Sequence, residues 1–208
     1  MLLHLYYTLM VISFTISLFF YRTATLAVKM ISQLLLASII TEILVEICKQ
    51  MHWGYFLLYR IFTPAEYTFI ALYFYFSILN KKFRIFCLST IIVFFFICMA
   101  DIIVNYNQET FPRFVCYMEC FLVLIISTLT LLFLEPDIYK PIYKLSDFWF
   151  SIGFLFFFSG LFIVLFFDQS DAEIKKVFTL INLFFNCLLY LLLSVGFLCL
   201  KTKKKLSY

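Results

Sequence analysis

Four glutamates stand inside stretches that are otherwise almost wholly apolar: Glu42, Glu46, Glu66 and Glu119. A charged side chain at the centre of a bilayer costs roughly 2.5–3.5 kcal/mol on insertion scales, so such acids are expected to face a bundle interior or a wet cavity. Carboxylates so placed can bind a cation, carry a proton or take part in acid–base chemistry. Glu42 and Glu46 are four residues apart and share a helix face, as do Asn182 and Asn186. Glu66 follows Thr63-Pro64-Ala65, which reads as a helix start in which proline gives up an N–H that was orphaned anyway. If that helix begins earlier, near Tyr55, Pro64 marks a kink instead and Glu66 sits deeper. Glu119 lies seven residues past Pro112, about 10 Å down a helix. Glu66 and Glu119 are the leading pair.

Other chemistry finds little support. The seven cysteines (Cys48, Cys87, Cys98, Cys116, Cys120, Cys187 and Cys199) form no CxxC pair and lie mostly in apolar stretches, where they read as small packing residues. His4 and His52 are too few and too peripheral for a metal-hydrolase ligand set. No nucleophile accompanies the acids, so no catalytic residue, metal or cofactor is assigned, and an intramembrane enzyme ranks last.

The elements that carry these residues are long apolar runs. Hydrophobic residues make up 65% of the 208-residue chain and charged residues 13%, well below the roughly 25% of a soluble domain. Seven stretches are each long enough to cross a bilayer, since about 20 helical residues span about 30 Å. They are Leu2–Tyr21, Leu26–Ile47, Phe56–Leu79, Phe83–Val104, Arg113–Leu134, Asp147–Phe167 and Ile174–Leu200. The expected fold is an all-α polytopic bundle forming one transmembrane domain over residues 1–208, with a basic tail at 201–208. The third span is the least regular, because Arg60 and Pro64 interrupt its start. The first reads as a retained helix rather than a signal peptide.

Lys and Arg counted between the spans give the orientation. Eleven fall on one side and five on the other, with the Lys201, Lys203, Lys204 and Lys205 cluster on the rich side. The expectation is N-terminus outside, C-terminus cytoplasmic, in a cell inner (plasma) membrane. The bases sit at span ends, so topology explains the formal charge of +4 and nucleic acid is not an expected partner. With this orientation all four glutamates, Asn182 and Asn186 fall in the outer half of the membrane. Asp101 and Asp168 close the outer ends of the fourth and sixth spans.

An acid-lined pocket opening outward between the second, third, fifth and seventh helices would account for this asymmetry. Lys49, His52 and Arg60, placed in the second outer loop, are available counter-charges, and Tyr59, Tyr67 and Tyr117 are available donors. The alternative is structural: Glu46 snorkels to the interface, Glu66 favours its own helix start, and Glu119 and the asparagines tie helices together. Gly153 and Gly160 read as close-packing positions.

The run Leu58-Tyr59-Arg60-Ile61-Phe62-Thr63-Pro64-Ala65-Glu66-Tyr67, together with Asp147-Phe148-Trp149-Phe150-Ser151-Ile152-Gly153, resembles a group of small bacterial seven-span integral membrane proteins. That resemblance implies the fold and carries no activity with it. The leading expectation is a ligand- or ion-sensing membrane module acting with a partner protein or as a homo-oligomer. The alternative is a small cation- or proton-coupled transporter or oligomeric channel, including an accessory pore of an antiviral system.

Overall fold

A computed structural model describes the backbone of residues 2–105, 111–134, 141–167 and 172–204. Side chains are described over the same segments up to residue 166, and from 176 to 200. Asp168, Lys140 and the end of the basic tail lie outside the described residues. The described residues form seven long helices: α1 (Leu2–Tyr21), α2 (Leu26–Gln50), α3 (Phe56–Ser77), α4 (Lys81–Asn105), α5 (Arg113–Phe133), α6 (Ser146–Phe167) and α7 (Ala172–Lys204). A short 3-10 turn at Ile142–Lys144 leads into α6. The seven expected spans and the seven helices coincide within a few residues. Helix α7 runs on to Lys204, into the expected basic tail.

Six of these helices, all but α3, are both long and apolar enough to cross a membrane. The protein is therefore read as an integral membrane protein. Helix α3 has the length, 22 residues or about 33 Å. It falls short in apolarity because it carries Arg60, Pro64, Glu66 and four tyrosines. Its buried residues, Arg60, Thr63, Tyr67, Ile70, Ala71 and Phe74 among them, recur at three- and four-residue spacing and make one continuous stripe. Polar groups that lipid would reject are thus turned inward.

The chain divides into two compact units. The first, Leu26–Leu122, holds α2, α3, α4 and the first half of α5. Helix α3 packs against both α2 and α4. The α2–α3 turn closes on His52, whose backbone is left-handed at φ 55°. The Trp53 N–H reaches the Cys48 carbonyl at 2.9 Å and the His52 N–H reaches Lys49 at 3.2 Å. These are the two bonds of a Schellman stop, in which the residue after the cap must turn left-handed. Lys49 ends over the Tyr55 ring at 5.4 Å, which ties the two helix ends together. At the α3–α4 turn, Asn80 caps α4 by accepting from the Lys82 and Phe83 N–H groups at 3.0 and 3.3 Å. Arg84 donates back to the Ile78 carbonyl at 2.8 Å.

The second unit comprises residues 1–25 and 123–208. Helix α7 packs against α1 and α6. Its core is built from phenylalanines fitted against small residues. A Cβ at Gly160 would overlap the Phe185 ring, and one at Gly196 the Phe150 ring. Phe150 also meets Phe197 edge-on, with ring centroids 5.1 Å apart.

Candidate functional site

Helix α3 is continuous through Pro64, so Glu66 stands in the third turn rather than at a helix start. Proline has no N–H, and the Arg60 carbonyl loses its intrahelical donor. Thr63 and Thr68 stabilise this stretch by donating to the Tyr59 and Pro64 carbonyls at 2.9 and 2.7 Å. The same continuity carries Arg60 inside the helix. Arg60 is only 4% exposed and forms an ion pair with Asp101 of α4, which in turn accepts from Asn105 Nδ2 at 2.8 Å. Arg60 is therefore not a loop counter-charge, and Lys49 belongs to the last turn of α2.

The acids come together within the same unit. Glu66 lies within electrostatic range of Glu42 on α2 and of Glu119 on α5. Glu42 and Glu66 are half-buried, whereas Glu119 is 2% exposed. One of its oxygens, Oε1, has no hydrogen-bond partner among the described residues. Cys116 and Cys120 share the Glu119 face of α5 and feel the charges of both Glu119 and Glu66. Tyr67 is fully buried, its ring centroid 4.6 Å from that of Phe94. Its hydroxyl lies within reach of the Thr90 hydroxyl and in the field of Glu119.

These groups are graded in depth. Phe111 stacks edge-on against Tyr59 at 6.0 Å, which brings the start of α5 to the first turn of α3. Measured from this end at 1.5 Å per residue, Arg60 and Asp101 lie about 6 Å along their helices. Glu119 follows at about 9 Å, Glu42 at about 12 Å and Glu66 at about 15 Å. Charge thus descends into the unit from the end that carries Gln50, Phe56, Asn105 and Arg113.

The other expected site residues are placed as follows. Glu46 is exposed on α2. Asn182 and Asn186 are half-buried in the second unit, where Asn186 Nδ2 donates to the Asn182 carbonyl at 2.9 Å and to its Oδ1 at 3.3 Å. The pair is thereby largely occupied with itself. Sequence spacing missed the Arg60–Asp101 pair and the place of the thiols beside Glu119. An apolar stretch closed by an acid was a usable signal for Asp101, but its partner is 41 residues away.

Among the described residues no three His, Cys, Asp or Glu side chains converge so as to hold a metal ion. The described residues thus present carboxylates at graded depth, one of them buried and under-bonded. No known protein family, curated protein or solved structure matches the chain.

Proposed function

We propose that the protein is a seven-span inner-membrane module, N-terminus outside and C-terminus cytoplasmic, that binds an ion or small ligand at its acidic cluster and passes occupancy to a partner. The observation that supports this is the buried Glu119, with an unpartnered oxygen, grouped with Glu66 and Glu42 on three helices. Structural carboxyls in an apolar bundle are expected to be fully hydrogen-bonded, because an unmade bond there costs about 1–3 kcal/mol. An under-bonded one is held ready for something else. The third span enters the bilayer as part of the packed α2–α4 group, its polar stripe turned away from lipid.

Thermal unfolding of the purified protein, followed by intrinsic fluorescence across a series of pH values and of sodium, potassium and calcium concentrations, tests the reading. Wild type is expected to show an ion- or proton-dependent Tm that Glu66→Gln and Glu119→Gln abolish and Glu46→Gln retains. Equal responses in all four proteins would reject it. A fluorescent protein fused to the C-terminus is expected to light up, as it does only on the cytoplasmic side. A second reading, a small cation- or proton-coupled transporter or channel, draws support from the graded depth of the charges. It expects ion flux in proteoliposomes that the same two glutamine variants remove.

A further inference from the structure

We propose that the occupant of the acidic cluster is a proton, shared by Glu66 and Glu119, rather than a metal ion or an organic cation. The inference rests on the ion-binding reading above and names the ion.

Donor chemistry argues first. Calcium and magnesium take about six or more oxygen ligands in a defined shell. Beside Glu66 and Glu119 the structure offers the Cys116 and Cys120 thiols, which are soft donors ill-suited to hard cations. Backbone oxygen is also scarce: α2, α3 and α5 are continuous helices whose carbonyls serve their own ladders, apart from the Arg60 carbonyl that Pro64 frees. The Thr63 and Thr68 hydroxyls are directed to the Tyr59 and Pro64 carbonyls. Thiolate metals fare no better, since no three ligating side chains converge among the described residues.

Packing argues second. An organic cation needs a ring-walled space, yet Glu119, Tyr67, Phe94 and Cys120 are all nearly or wholly buried against one another's helices. A proton needs no volume. Charge argues third. Glu42 approaches from α2, Arg60 and Tyr67 lie on α3, Cys87, Cys98 and Asp101 on α4, and Cys116 and Cys120 on α5. Arg60 is paired with Asp101, and the largest charge acting on Glu119 is another carboxylate, Glu66. A buried carboxylate beside a half-buried one, without compensation, carries a heavy desolvation penalty. One proton taken up from water removes one negative charge and turns an acceptor into a donor. On release it returns to water. The independent observation is Glu119 Oε1, a buried oxygen without a hydrogen-bond partner among the described residues. Tyr67, fully buried in the field of Glu119 and within reach of the Thr90 hydroxyl, can donate or accept as the pair exchanges its proton.

The test is infrared difference spectroscopy of the full-length protein in phosphatidylcholine–phosphatidylglycerol vesicles. One series steps pH at fixed sodium; another steps sodium, potassium or calcium at fixed pH. The expected result is a protonated-carboxyl C=O band that grows on acidification and shifts in D2O. It is lost in Glu66→Gln and in Glu119→Gln, because either variant removes one side of the shared proton, and it is kept in Glu46→Gln. If one variant fails to fold, the other carries the same expectation. A band that persists in both variants overturns the proposal. A salt-driven difference at fixed pH that both variants abolish overturns the proton while leaving the ion-binding reading standing. No variant-sensitive response to pH or to salt overturns both.

Discussion

The two units solve the problem of a helix interior in opposite ways. In Leu26–Leu122 the interior contains charge: among the described residues, both buried charged side chains, Arg60 and Glu119, belong to it. In the second unit the buried polar residues among those described are hydroxyls only, Ser13, Ser17, Ser127, Thr130, Ser146, Ser151 and Ser194. Three of the four glycines in the chain also lie there, each against a large side chain. Small-against-large packing yields tight helix contacts with no charge to desolvate, although the Ser13, Ser127 and Ser151 hydroxyls are buried there without a hydrogen-bond partner among the described residues. Charge in the interior yields less stability per residue. The proposed function draws on the first unit for this reason.

That contrast can be broken most severely at the ion pair. Asp101→Ala leaves the Arg60 guanidinium buried without its main partner. It is expected to cost roughly 3–5 kcal/mol, read as loss of folded protein in an SDS titration. Replacing both residues by apolar ones of similar size, Arg60→Met with Asp101→Leu, is expected to recover most of that loss. Next comes transplanting charge into the second unit. Ser151→Asp, at a fully buried site, is expected to destabilise by roughly 2.5–3.5 kcal/mol in the same titration. A neutral outcome would erase the distinction between the units.

Smaller effects sharpen the picture. Gly160→Ala forces the Phe185 ring to move and is expected to cost about 1–3 kcal/mol, with Phe185→Leu on the same chain restoring part of it. Last is His52→Gly at the left-handed stop of α2, expected to stabilise by up to about 1 kcal/mol and to raise Tm. That change lies outside both interiors, so it should leave every ion-dependent response of the first unit intact.

The helices were legible because runs of twenty apolar residues leave little choice of conformation, and the starts of α1, α2, α3 and α5 fall where the pattern places them. Glu66 and Glu119 were legible for a related reason: acids are conspicuous against such a background. Pro64 was ambiguous. Local chemistry permits either a helix start or an interior proline, and tertiary packing of the residues before it, Arg60 above all, decides for the interior. The Arg60–Asp101 pair was not legible, since it depends on which faces of α3 and α4 meet. Asn182 and Asn186 share a face as their spacing indicates, and Asn186 Nδ2 donates to Asn182 Oδ1.

The separation of Arg60 from Asp101 along the chain has a consequence for synthesis. The ribosome makes Arg60 41 residues before its partner, and α3, which carries Arg60, is the one long helix among the described residues less apolar than a typical membrane-crossing helix. In a chain that enters a bilayer, α3 is therefore expected to wait beside the insertion machinery until α4 emerges, and the two to leave together as a hairpin. The order of assembly is written into the distance between two charges.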